Sequence, residues 1–196
     1  MDLNDPVAAA LAISRAFRDA GATHALYGGL ALAAYGEPRE TRDVDLAVLS
    51  AEPAIVVEIL RRAGLECEVS FALVTFGGLV LSRLALSGSP QDAGLNVLDL
   101  VQPRSDRYAR VALGRSVTSR LRDEPVVLLT PEDFVVFKVL SSRDRDVLDA
   151  ASVVRRNPGS LDLPLIGTTI GSLATELPDH DLLGRWSRVQ AARPEA

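Results

Sequence analysis

Residues 43–49, DVDLAVL, alternate without a break: Asp43, Asp45 and Ala47 fall on one side of an extended chain, and Val44, Leu46 and Val48 on the other. Such a segment fits a strand that presses its aliphatic face on a core and holds two carboxylates together on the opposite face. The chain just before it reinforces this. Residues 24–27 (HALY) form a short apolar strand that runs into Gly28-Gly29, and a helix from Leu30 to Tyr35 starts directly on the glycines. A strand, a tight glycine turn, a helix and a half-acidic strand therefore follow one another within about 25 residues.

The remaining segments extend the same plan. Helical spacing marks 7–20, ended by Gly21, and 52–63, ended by Gly64. Residues 65–86 are expected to form two or three strands with a hairpin at Gly77-Gly78, residues 95–101 another strand, 105–113 a helix and 125–129 a short strand. Thr130-Pro131-Glu132-Asp133 is a helix start: Thr as cap, Pro in the first turn and two acids near the positive end of the helix dipole. That helix runs to Leu140. A second follows over 143–156, broken at Asn157-Pro158-Gly159, and 160–196 holds two more with a frayed end. Strands and helices mix early and helices dominate late. The expected fold class is α+β, a mixed sheet flanked by helices, with a core over 1–129 and a helical module over 130–196 packed on it.

Composition narrows the class. The 196 residues are 47% hydrophobic and 24% charged, which fits a globular chain. No apolar run is long enough to cross a membrane, and the acidic start, Met1-Asp2-Leu3-Asn4-Asp5-Pro6, lacks the positive region of a signal peptide; the expected location is cytoplasmic. Cys67 is the sole cysteine, so no internal disulfide forms, and it reads as a small core or edge residue. His24 opens a buried strand and reads as structural; with His180 and Cys67 it forms no nucleophilic triad. A net charge of −5 excludes coating of nucleic acid by bulk attraction. One stretch departs from this: residues 101–122 carry Arg104, Arg107, Arg110, Arg115, Arg120 and Arg122 against Asp106 alone. It is either a local phosphate-binding patch or a solvated face.

Chemistry follows from the acids. Two bare carboxylates on one face repel, and a hard divalent cation such as Mg²⁺ removes that penalty. Gly28-Gly29 at a helix start lets backbone N–H groups approach an anion. Asp99, in the strand 95–101, joins Asp43 and Asp45 if that strand lies beside 43–49. Three carboxylates suffice for two metals, and Asp99 is then the natural acceptor for a hydroxyl proton. Lys138 is the single lysine, set in the apolar run DFVVFKVL. Its amine needs an anion, which is either a bound phosphate or Asp146 or Asp149 fastening two helices together.

The order Gly28-Gly29, a thirteen-residue spacer with Arg39-Glu40-Thr41-Arg42, then Asp43-Val44-Asp45-Leu46 resembles the DNA polymerase β-type nucleotidyltransferase superfamily. The later order Leu129-Thr130-Pro131-Glu132-Asp133-Phe134, Lys138, Arg143-Asp144-Arg145-Asp146 and Asp149 is similar to its AbiEii/MenT-type, toxin-like branch. The resemblance covers roughly residues 20–156. It implies a nucleotidyltransferase fold and an Mg²⁺- or Mn²⁺-dependent enzyme that transfers an NMP from an NTP to a hydroxyl, with pyrophosphate leaving. It implies Asp43, Asp45 and Asp99 as metal ligands. Gly28, Gly29, Arg42, Lys138, Arg143 and Asp146 are then placed around the nucleotide, with Asp146 orienting Lys138 or a basic neighbour. The acceptor it implies is RNA, at a tRNA 3′ end, with an antitoxin protein as a possible partner. Two alternatives remain open at this point: transfer to a small molecule, as in aminoglycoside nucleotidyltransferases, and a catalytically silent protein that binds a nucleotide or a partner.

Overall fold

The computed structural model describes residues 5–87 and 96–192. Seven strands form one mixed sheet: β1 (His24–Tyr27), β2 (Asp43–Val48), β3 (Glu66–Phe76), β4 (Leu79–Ser87), β5 (Asn96–Pro103), β6 (Val117–Leu121) and β7 (Glu124–Leu128), in the spatial order β3-β4-β5-β2-β1-β7-β6. The pairs β2/β5 and β1/β7 are parallel and the other neighbours antiparallel. Eight helices complete the described chain: α1 (Pro6–Asp19), α2 (Gly28–Tyr35), α3 (Pro53–Arg62), α4 (Asp106–Gly114), α5 (Pro131–Leu140), α6 (Asp144–Arg156), α7 (Leu163–Glu176) and α8 (Leu182–Ala191). The expected α+β class, a mixed sheet flanked by helices, is what the chain forms.

The two faces of the sheet are covered differently. His24 and Tyr27 lie an odd number of residues apart on β1, so they point to opposite faces. The His24 ring meets Phe17 of α1 at 5.2 Å, whereas Tyr27 meets Phe134 and Phe137 of α5 at 5.5 Å each. Helix α1 thus lies over one face and α5 over the other. His24 is buried and shares Nδ1 with the Ala22 carbonyl at 3.0 Å, the structural role its position suggested.

Most expected elements form within a residue or two of their expected bounds. Residues 65–86 resolve into two strands joined at Gly77-Gly78, not three. The exposed edge strand β3 slips register against β4 twice, between Val69 and Phe71 and between Phe71 and Val74, and Leu73 there has φ +53°. Leu95, assigned above to a strand, and residues 1–4 and 193–196 lie outside the described residues. One strand has no counterpart in the sequence reading. Residues 117–121 form β6, which pairs with β7 through a two-residue turn at Arg122-Asp123 with φ +46° and +66°. Tight hairpins of that shape are usually marked by Asn-Gly or Asp-Gly, and this one has no glycine.

Helix α5 starts as its sequence predicts. Pro131 opens the first turn and Thr130 Oγ1 accepts from the Asp133 amide at 3.2 Å. From Asp133 to Leu140 every residue is buried. Asp133 is tolerated there because its carboxylate takes the Tyr108 hydroxyl at 2.8 Å, the Thr130 hydroxyl at 2.8 Å and a two-pronged Arg115 guanidinium, with Nε at 3.0 Å. Burial and the adjacent Asp133 push the Tyr108 phenol well above its usual range, so it stays a donor. At the far end of α5, Arg185 of α8 donates to the Val139 carbonyl at 3.0 Å and the Arg143 carbonyl at 2.7 Å, tying α8 to the turn between α5 and α6. Asp133→Ala is expected to destabilise the fold by about 3 kcal/mol, because it strands a buried phenol and a guanidinium together; a urea titration monitored by circular dichroism measures it.

Candidate active site

Strand register sets the site. Asp45 on β2 stands beside Asp99 on β5, with Asp43 two residues before Asp45 on the same face. On the other side of Asp45 is Tyr27 of β1, and on the other side of Asp99 is Arg83 of β4. One row of side chains, Tyr27–Asp45–Asp99–Arg83, therefore crosses four adjacent strands on the face covered by α5. The cleft above this row has about 590 Å³ of empty space, its open mouth included. Tyr27, Asp43, Asp45, Asp99, Lys138, Arg143 and Asp146 line it, together with Arg39, Thr41, Ser141 and an apolar strip of Phe76, Leu79, Leu81 and Val101.

Charge in the row is balanced unevenly. Arg83 grips Asp99 with two parallel bonds, Nε to Oδ1 and Nη2 to Oδ2, each 2.8 Å. Asp45 has no such partner. Burial, then the neighbouring Asp99, push its carboxyl up to about 6, with Lys138 partly offsetting them and Asp43 adding to them. Burial and the charges of Asp146, Asp45 and Asp149 push the Tyr27 phenol well above its usual range.

Lys138 is buried between the two acids proposed to fasten its helix. Its Nζ lies 2.6 Å from Asp146 Oδ1 and 2.9 Å from Asp149 Oδ2. It also sits 4.9 Å from the centre of the Tyr27 ring and 5.5 Å from that of Phe134. Burial disfavours the Asp146 carboxylate, but Lys138, with Ser141 and Arg143, outweighs it and holds the group below its usual range. Lys138 thus clamps α5 to α6 while still forming part of the cleft wall.

The side-chain positions of the glycine pair face protein. Gly28 has φ +64°, and a Cβ there would stand 1.8 Å from Asp45 Oδ2. A Cβ on Gly29 would stand 2.7 Å from the Cβ of Thr41. Both glycines are buried, and their bareness lets the first turn of α2 pack onto the acidic strand. Arg42 is exposed and does not line the cleft. Sequence reasoning missed Arg83, Tyr27 and the Phe76 strip as parts of the site. It noted Arg39 only as a motif residue. Arg39 Nη2 lies 3.5 Å from Asp149, and its Nε is buried without a partner.

The arginine-rich stretch is largely neutralised. Arg104 pairs with Asp179, Arg107 with Glu176, Arg115 with Asp133 and Arg122 with Asp5, while Arg120 donates to the Asp123 carbonyl. Four of the six, Arg104, Arg107, Arg115 and Arg122, thus bind the fold's own acids.

As the side chains stand, no three His, Cys, Asp or Glu residues are gathered to ligate a metal among the described residues. Both Asp99 oxygens are turned to Arg83. The donor chemistry nevertheless fits a hard divalent cation. Asp43 and Asp45 share a face, and Asp45 lacks the counter-charge that would restore an ordinary carboxylate.

No family model and no curated protein sequence matches the chain. Solved structures do. An antigenic nucleotidyltransferase-like protein from Paracoccidioides brasiliensis superposes with a TM-score of 0.52 at 18% identity, over 100% of this chain and 94% of that one. The antibiotic-resistance factor ANT(2'')-Ia superposes with a TM-score of 0.57 at 14% identity, over 91% of this chain and 97% of that one. The chain has a nucleotidyltransferase-like fold.

Two outcomes follow from the charge balance. The folded Asp45 carboxyl lies above its ordinary value of 3.8, so the proton is held more tightly in the folded state. The stability this contributes is full below about pH 4 and is lost as the pH rises to about 6. In the presence of a chelator, Asp45→Asn is expected to stabilise the fold at pH 7.5 by about 1–2 kcal/mol, after allowance for solvent screening, and to change little at pH 4; melting curves at both pH values read it. Lys138→Met, which leaves Asp146 and Asp149 buried without their cation, is expected to cost about 3 kcal/mol in the same measurement at pH 7.5.

Proposed function

We propose that the chain is a divalent-metal-dependent nucleotidyltransferase that moves an NMP from an NTP to a hydroxyl acceptor. The observation that carries this is the in-register placement of Asp45 beside Asp99, with Asp43 on the same face, at the floor of a cleft on a nucleotidyltransferase-like fold. The acceptor oxygen attacks the α-phosphorus, the bond from that phosphorus to the bridging oxygen of the β-phosphate breaks, and pyrophosphate departs with the electron pair. The hydroxyl proton passes to a carboxylate of the row, a role assigned to Asp99.

Asp43 and Asp45, with Asp99, would hold Mg²⁺ or Mn²⁺, which would supply the positive charge that phosphoryl transfer requires. Arg39 stands at the cleft as a cation for the polyphosphate, and Lys138 fixes the cleft wall. Gly28 lets Asp45 lie against the start of α2, where the helix dipole favours negative charge.

A small hydroxylated molecule is the acceptor that the charge distribution favours. Four of the six arginines expected to meet RNA, Arg104, Arg107, Arg115 and Arg122, are paired with carboxylates of the fold, and the chain as a whole is acidic. A second reading, an AbiEii/MenT-type transferase acting on a tRNA 3′ end and held in check by an antitoxin, draws support from the motif residues Lys138, Asp146 and Asp149. They form one buried cluster beside the acids.

Incubation with each α-labelled NTP and Mg²⁺, with total tRNA in one arm and a set of small polyhydroxylated amines and sugars in the other, separates these readings. Label is expected to move to an acceptor in the small-molecule arm. Asp43→Ala and Asp45→Ala are expected to lower transfer by on the order of a hundredfold or more with the melting temperature preserved or raised. Undiminished transfer by Asp45→Ala would overturn the site assignment. NTP binding without transfer in either arm would identify a silent nucleotide-binding protein.

A further inference from the structure

The apolar strip in the cleft has no part in the chemistry above, yet it is built with care. It starts at the acid row and runs outward along the sheet: Leu81 pairs with Val101 next to the Arg83–Asp99 step, Leu79 follows two residues further along β4, and Phe76 stands opposite Leu79 across the hairpin. The distance along β4 from Arg83 to Leu79 is roughly 14 Å at the usual strand rise. At the outer end the guanidinium of Arg143 lies over the Phe76 ring, 5.5 Å from its centre. Arg83, at the acid row, likewise lies over the Phe71 ring, 5.7 Å from its centre.

Both halves of this pair are fixed by their backbones to one short turn. The Gly78 amide donates to the Leu140 carbonyl at 2.7 Å, the Arg104 amide to the Gly78 carbonyl at 2.9 Å, and the Arg104 guanidinium to the Gly77 carbonyl at 3.1 Å. The hairpin touches this turn so closely that a side chain would not fit. A Cβ on Gly77, at φ +64°, would lie 2.8 Å from the Leu140 carbonyl oxygen and 2.7 Å from the His180 ring, and one on Gly78 would lie 2.5 Å from Leu140 Cδ2. Three residues further along the same turn, the Arg143 amide donates to Ser141 Oγ at 3.2 Å, and its carbonyl is held by Arg185. The ring and the guanidinium are thus presented at the cleft from fixed supports, stacked on one another as a single flat platform.

We propose that Phe76, with Arg143, is the stacking slot for the base of the nucleotide. This rests on the nucleotidyl-transfer reading and adds to it where the base lies. Flat guanidinium and phenyl surfaces stack on any base, because every base has a π-face, and the strip offers no hydrogen-bonding edge with which to discriminate. The slot therefore accepts all four bases, with purines held more tightly through their larger face. The acids and the cations at the other end of the strip receive the triphosphate.

The test compares NTPs with inorganic tripolyphosphate, which shares the phosphates and lacks the base. Equilibrium dialysis of the full chain with Mn²⁺ is run on wild type, Phe76→Leu, which keeps apolar volume without a π-face, Phe76→Ala and Phe76→Trp. Phe76→Leu and Phe76→Ala are expected to weaken ATP about tenfold, or about 1.4 kcal/mol, and the other NTPs by similar or smaller factors. Tripolyphosphate affinity is expected to stay unchanged, and Phe76→Trp to restore ATP binding. If wild type binds ATP and tripolyphosphate, and Phe76→Leu binds ATP equally well, the slot is refuted while the transferase reading stands. Parallel loss of ATP and tripolyphosphate in Phe76→Leu also refutes it. Should wild type bind neither, both readings fall.

Discussion

Two carboxylates side by side on neighbouring strands repel one another, and everything near the cleft is arranged around that repulsion. Like charges directly opposite in a sheet destabilise it. Asp45 and Asp99 are in this position at the centre of a seven-stranded sheet, where water offers little relief. The fold answers on one side with Arg83, which neutralises Asp99 through two bonds. On the other side it offers Asp45 a glycine, a phenol and a lysine already engaged by two further acids. The remaining excess of negative charge is therefore concentrated on Asp45, beside Asp43. Retaining such a group at the floor of a cleft costs stability, a pattern expected where a site is built to receive a cation.

Much of this was legible in the sequence, and the reason is local. The alternation from Asp43 to Val48 is a period-two pattern that fixes which side chains share a face, and the burial of β2 follows it from Asp43 to Leu46, after which Ala47 is buried as well. The start of α5 was legible because Thr130, Pro131 and Asp133 each perform a separate job at a helix terminus. Asp99 was found because its strand carries one acid among aliphatic residues. What was not legible is pairing between distant segments. Arg83 sits in LSRLALS, where nothing says that it will lie opposite Asp99; the hairpin that brings β4 beside β5 decides it. Likewise, Arg104, Arg107, Arg115 and Arg122 look like a basic run along the chain. Their acids come from residues 179, 176, 133 and 5, so the local excess of charge disappears once the chain is folded. Strand β6 was hidden for a different reason: Arg122 and Asp123 adopt left-handed backbone without the glycine that would have announced the turn.

Buried aliphatic and aromatic side chains seat α5 on the sheet, and polar groups with defined partners tie the second-half helices to one another and to their neighbours. Asp133 gathers Tyr108, Thr130 and Arg115, Lys138 joins α5 to α6, and Arg185 caps two carbonyls at the turn between them. Each contact is directional, so together they fix the angle of α5 over the acid row more narrowly than aliphatic packing alone. The cleft inherits its shape from this. Its floor is sheet, its wall is α5 and the turn after it, and the Gly77-Gly78 hairpin is fitted against that same turn.

The outer strand β3 is eleven residues long and carries Val69, Leu73 and Val74 in exposed positions, which in a flat ladder would invite another chain to add itself. Its two register slips and the left-handed Leu73 prevent this. They divide the free row of amides and carbonyls into runs too short and too twisted to template an intruding strand, and Glu66 and Glu68 place negative charge on the first of them. The flank that keeps this aliphatic surface is crooked, which makes it a poor template for edge-to-edge association.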